Sequence, residues 1–140
     1  MSDVAMPTFV NPRDVHAPAG PYSHTAVVPA GTELVFVAGQ VGMRPDGTVP
    51  AAFAEQAELT FTNLRTCLAA HGLDVDAVVK LTVFIVPQQD FQLLRAVREK
   101  HFGTHRPTST TVYVPALAAP ALLLEVEAVA VRPAGERRQR

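Results

Sequence analysis

The segment Val78 to Val86, VVKLTVFIV, limits the folds open to this chain more than any other. It is almost unbroken in β-branched, aliphatic and aromatic residues and stops at Pro87, so it reads as a strand in the middle of a sheet. Such a strand needs hydrogen-bonding neighbours on both edges and a layer packed on its face. The flanking sequence supplies the layer. From Phe53 to His71 the residues Ala57, Phe61, Leu64 and Leu68 recur at steps of four, three and four, the period of an amphipathic helix, and Gly72 sits where a left-handed cap belongs. From about Asp90 to Phe102 a second helix is marked by Phe91, Leu94, Val97 and Phe102, with Gly103 placed to end it.

The edges are supplied by shorter segments. Ser23 to Val28 and Leu34 to Ala38 are rich in β-branched and apolar residues and are separated by Pro29-Ala30-Gly31, which predicts a hairpin; Asp46-Gly47 marks a further turn. Thr110 to Val114 and Leu122 to Val131 are two more strands, the last alternating Leu124, Val126, Ala128 and Ala130 against Glu125 and Glu127. The order strand, strand, helix, strand, helix, strand, strand predicts an α+β fold, one mixed sheet with both helices on one face. A chain of 140 residues has no third layer for the other face, and a closed symmetric homo-oligomer is the simplest cover.

No internal repeat or low-complexity segment divides the sequence, so residues 1–132 are expected to form a single domain. Residues 133–140, with Arg137, Arg138 and Arg140 after Pro133 and Gly135, read as a flexible, solvated tail. A formal net charge of -1 gives no electrostatic reason to expect a nucleic-acid partner. The lone Cys67 excludes an intrachain disulfide or a multi-thiolate zinc site and suits a reducing, cytoplasmic setting; its place on the first helix marks it as a packing residue. The N-terminus lacks the basic-then-apolar order of a signal peptide, and the longest apolar run, Val112 to Leu124, is broken by Pro115 and Pro120, so no membrane segment is expected. His16, His71, His101 and His105 have no metal-ligand spacing and are read as surface residues.

Four stretches occur together in order: Ala19-Gly20-Pro21-Tyr22-Ser23, Ala38-Gly39-Gln40, Val79-Lys80-Leu81-Thr82-Val83-Phe84, and Glu125-Val126-Glu127-Ala128-Val129-Ala130. In that order and spacing, from about residue 16 to residue 132, the chain resembles the RidA (reactive intermediate deaminase, YjgF-like) family. The resemblance implies a chorismate-mutase-like fold, a homotrimer with ligand clefts at its subunit interfaces, and hydrolysis of enamines or imines to a 2-oxo acid and ammonia. It implies no cofactor and no metal.

Carried over residue by residue, the resemblance gives Glu125 the role of positioning the hydrolytic water as a general base, and makes Tyr22 a cleft residue that aids orientation. One departure dominates. Active members carry an arginine before the penultimate strand that grips the substrate carboxylate, and here Pro107-Thr108-Ser109-Thr110 puts Ser109 in its place. Losing that charge-assisted pair, worth roughly 1.5–3 kcal/mol, lowers activity on simple 2-imino acids by about tenfold to a few hundredfold.

The remaining ligand-binding candidates are Thr110, Ala38, Gly39, Arg95, Tyr113 and His24. Ala38 stands where many members have serine and Tyr113 where an acidic residue is common, so the pocket is expected to be more apolar and its ligand larger. Tyr113 shares a strand face with Ser109 and Thr111, and His24 shares one with Tyr22. Arg106 is at an odd offset from Ser109 and a poor substitute for the arginine. Arg95 and Arg98 share a helix face and read either as a relocated anion site or as solvated charges beside Glu99. Two functions stay open: a hydrolase acting on C=N bonds of a small metabolite, or a trimer that binds a small molecule without turning it over. A nuclease reading is disfavoured, because there is no basic stripe with aromatics.

Overall fold

The computed structural model describes residues 6–133; of the tail predicted for residues 133–140, all but Pro133 lies outside them. The central strand β4, Val78–Ile85, pairs antiparallel with β6, Leu124–Arg132, on one edge and parallel with β5, Thr108–Tyr113, on the other. Strand β3, Glu33–Val41, closes the order β3-β6-β4-β5. The parallel step is possible because a helix, α2 (Phe91–Phe102), carries the chain back between β4 and β5. The first helix, α1, is Phe53–Ala69.

Both helices cover the same sheet face. Phe61, Leu64 and Leu68 of α1 and Leu94, Val97 and Phe102 of α2 pack with Leu81, Val83 and Ile85 of β4 and Leu124, Val126 and Ala128 of β6 in one buried cluster. The ends of the helices form as the sequence suggests. Gly72 lies at φ +71 and the Leu73 amide donates back to Leu68 O, closing α1 two residues earlier than periodicity alone indicates. Asp90 caps α2 by accepting from the Leu93 amide at 3.1 Å, and Gly103, at φ 58, donates to Glu99 O.

The predicted N-terminal hairpin does not form. Strand β2, Thr25–Val27, pairs instead with β1, Thr8–Val10, in a separate two-stranded ribbon, with Thr8 opposite Val27 and Val10 opposite Thr25. Thr25 Oγ1 donates to Val10 O and the His24 amide to Asn11 Oδ1, so β2 has its hydrogen-bonding partners before the chain reaches β3. The ribbon meets the main sheet at one bridge, Ser23 to Thr108 at the β5 edge, where the Ser23 amide donates to Pro107 O. The single mixed sheet expected is therefore a four-stranded mixed sheet plus a ribbon.

Gln56 is a fully buried polar residue on the core side of α1. Its Nε2 donates to Pro50 O and Ala121 O at 3.0 and 2.8 Å, and its Oε1 accepts from the Leu123 amide at 3.0 Å. One side chain thus fastens the proline-broken connection before β6 to the start of α1. Gly42 makes room for it, since a methyl group there would come within 2.7 Å of Gln56 Cα.

The other sheet face is bare among the described residues. Phe36 is 73% exposed and Leu34 and Val112 point the same way, exposed apolar side chains on a face that also carries Lys80, Thr82 and Glu127, of the kind that marks association. No helix among the described residues is long and apolar enough to cross a membrane.

Candidate functional site

Strand pairing assigns each candidate to a face. Ser109, Thr111 and Tyr113 lie opposite Leu81, Val83 and Ile85, the core-facing residues of β4, and so sit on the helix side. Glu125 lies opposite Phe84, and Thr110 opposite Thr82, on the bare side. The predicted residues therefore fall into two groups separated by the sheet within one chain.

On the bare side, the pairing of β3 with β6 slips between Val37 and Gln40, leaving one extra residue in β3 at Ala38-Gly39. Such bulges re-aim neighbouring groups, and this one receives the Glu125 side chain. A methyl group on Gly39 would overlap the Glu125 carboxylate, so glycine alone lets that carboxylate lie on the strand. Glu125 is half-buried and has no hydrogen bond or ion pair among the described residues, leaving its oxygens free to accept from water. Ala38 lies with Phe36, Lys80, Thr82, Glu127 and Val129 along a groove of about 420 Å³ on this face. Thr110 is exposed there and accepts from Lys80 Nζ at 2.9 Å.

On the helix side, the loop Ala19–Tyr22 closes over α2 and leaves a cavity of about 270 Å³. Its walls include Tyr22, Phe61, Val83, Phe91, Leu94 and Thr111, with Arg95 and Arg98 as the charged members. Tyr22 is held by an Ala19 amide that donates to its hydroxyl at 3.2 Å. Arg95 reaches across the rim to donate to Ala19 O at 3.1 Å and lies 6.0 Å from the Phe91 ring.

Arg98 does not behave as the solvated helix charge that its neighbour Glu99 suggests. It is 7% exposed, donates from Nη1 to Ser109 Oγ and from Nη2 to Pro21 O, both at 3.0 Å, and lies 5.9 Å from the Phe102 ring. Burial, aided by the nearby Arg106 and Arg95 charges, pushes its pKa down to about 10. Arg106 turns elsewhere, donating to Gly103 O at 2.7 Å, in line with its odd offset from Ser109.

Three candidates stand off from the cavity. His24 lies behind Tyr22, its ring 5.5 Å from the Tyr22 ring and its Nε2 at 2.7 Å from His16 O. Tyr113, 57% exposed, sits at the far end of β5, and Thr110 is on the opposite face. The surface reading fails for two histidines. The His101 side chain is 9% exposed, stacks on Phe61 and bonds Glu58 at 2.9 Å, while half-buried His105 bonds Val78 O at 2.8 Å. Glu58 is held below the usual carboxylate range by hydrogen bonds from Lys100 and His101.

Residues 13–132 match the family described as endoribonuclease L-PSP. The 2-iminobutanoate/2-iminopropanoate deaminase of Bos taurus is 35% identical over 120 residues, covering 83% of this chain and 85% of that protein. Protein HMF1 of Saccharomyces cerevisiae is 34% identical over 115 residues, with 81% and 86% covered. Among solved structures, E. coli TdcF with bound serine superposes with a TM-score of 0.67 at 33% identity, covering 89% of this chain and 98% of that one. The Rid protein YyfB of Yersinia pestis superposes with a TM-score of 0.79 over 90% and 98% of the two chains, at 24% identity a likeness of fold alone. With its two helices, mixed sheet and matched residues 13–132, the chain belongs to the endoribonuclease L-PSP, or RidA, family.

Proposed function

We propose that this protein hydrolyses the C=N bond of a small imine or enamine, releasing ammonia and a 2-oxo acid, at clefts between the subunits of a homotrimer. The observation that carries this reading is the Glu125 carboxylate, seated on the Gly39 bulge without a hydrogen-bond partner among the described residues. The deaminase named among its relatives and the serine bound by TdcF support a small, carboxylate-bearing substrate.

Glu125 accepts a proton from water as the water oxygen attacks the imine carbon, giving a carbinolamine. The proton passes to nitrogen, the C–N bond breaks, and ammonia leaves the 2-oxo acid. Tyr22, on the cavity wall, orients the substrate. Because Glu125 and the Tyr22 cavity lie on opposite faces of one sheet, they meet only across a contact between two copies, which the bare Phe36 face provides. Ser109 replaces the family's carboxylate-binding arginine, and turnover of the smallest 2-imino acids is correspondingly weak. Nucleic acid is an unsuitable substrate for a chain of net charge -1, whatever the family's descriptive name.

The test is ammonia release from 2-iminopropanoate generated in place by an amino-acid oxidase, with and without the protein. Release faster than the buffer reaction supports the reading. A rate equal to buffer, for this imine and for larger ones, contradicts it and leaves a protein that only binds small molecules.

A further inference from the structure

We infer that Arg98, presented by α2, is the anion anchor of the helix-side cavity, and that the ligand is a carboxylate bearing a branched or aromatic apolar chain. This rests on the deaminase reading and names its substrate class: 2-imino acids with bulky apolar side chains, in preference to iminopropanoate.

Arg98 carries a buried charge with no hydrogen-bonded counterion among the described residues. Arg98 is 7% exposed, and its hydrogen bonds go to a hydroxyl and a carbonyl, with no carboxylate partner among the described residues. A buried cation satisfied only by neutral acceptors is costly, and its lowered pKa reports that cost. Such an arrangement in the wall of a cavity is typical of a site that receives an anion. Arg95, at the rim 3.1 Å from Ala19 O, also lacks a carboxylate partner among the described residues and adds positive potential at the mouth.

Ser109 then has a specific use. Its short side chain leaves the place beside β5 open and accepts from Arg98 Nη1, which fixes the plane of the guanidinium. A cation is thus presented beside Ser109 from the helix instead of from the strand. Away from Arg98 the walls are Phe61, Val83, Phe91 and Leu94, with the Thr111 hydroxyl the only other polar side chain besides Tyr22 and Arg95 among the described residues. The 270 Å³ amounts to roughly nine water-sized groups, room for a carboxylate and a branched or cyclic chain, and an acid as small as pyruvate leaves most of the apolar wall uncovered.

Titration calorimetry on the full chain with three non-hydrolysable ligands tests this: 4-methyl-2-oxopentanoate, the neutral 4-methyl-2-oxopentanamide and pyruvate. The first is expected to bind about tenfold or more tightly than either of the others, and Arg98→Lys to lose about tenfold for the acid while leaving the amide unchanged. Equal binding of acid and amide, tighter binding of pyruvate, or no binding of any ligand by the wild type overturns the proposal. The ligand comparison stands without the variant should Arg98→Lys not fold. None of the three ligands carries an imine, so the outcome is independent of turnover. Selective binding without ammonia release sinks the deaminase reading alone, and ammonia release without selectivity sinks this one alone.

Discussion

Replacing Glu125 with glutamine is expected to lower the rate of ammonia release by about 10²–10⁴-fold while leaving the affinity for unreactive 2-oxo acids within about threefold of wild type. Glutamine keeps the length and volume of the side chain and still fits over Gly39, where even one methyl group would collide with it. What it loses is the ability to take a proton from water. A structural role for Glu125 would instead show as a fall in thermal stability, because an amide laid on the bulge has different hydrogen-bonding needs from a carboxylate. Steady-state rates with an imine generated in place, paired with melting curves, separate the two. A variant with wild-type kcat removes Glu125 from the chemistry.

The largest expected change in stability comes from Gln56, which lines neither the Glu125 groove nor the Arg98 cavity. Gln56→Ala removes three hydrogen bonds from a fully buried position and leaves the Leu123 amide and the Pro50 carbonyl to find other partners. Each unsatisfied buried group costs about 1–3 kcal/mol, and Ala121, at an exposed position, recovers part of its loss from water, so a net destabilisation of about 3–5 kcal/mol is expected in urea denaturation. The connection ahead of β6 is released at the same time, and with it the strand that carries Glu125. A loss below about 1 kcal/mol would show that the Pro115 and Pro120 segment holds its path without Gln56.

The strong periodic signals in the sequence correspond to the elements that carry the core. Val78 to Val86, the four-three-four spacing in α1 and the alternation from Leu124 onward each reflect a side-chain pattern that one face of one element buries. Strand β1 has three residues and no such pattern, which is why β2 lacks its true partner in the sequence and a hairpin to β3 looks natural. The bulge at Ala38-Gly39 is equally silent, since it is defined by a slip against a strand nearly ninety residues away.

Arg98 shows what could have been seen. It falls four residues after Leu94 and four before Phe102, squarely on the apolar stripe of α2, and position 101 follows three later. A charge on the buried stripe is a stronger sign of function than its spacing from Arg95, whereas the nearby Glu99 points to an ordinary solvated helix. Gln56 and Thr60 break the stripe of α1 in the same way, and both are fully buried. That Ser109, Thr111 and Tyr113 share a face follows from alternation alone, but which face depends on the β4 register, and only with that register do Ser109 and Glu125 separate to opposite sides of the sheet.

That separation can be tested by mixing two impaired chains. Glu125→Gln, expected to be nearly inactive, and Arg98→Lys, expected to be about tenfold impaired at low substrate concentration, are co-expressed with different affinity tags and the mixed assemblies isolated. If each cleft takes Glu125 from one copy and the Arg98 cavity from another, every mixed trimer has one intact cleft of its three, and ammonia release returns to about a third of the wild-type rate. Mixed assemblies no more active than their parents would mean that the two groups do not meet across an interface.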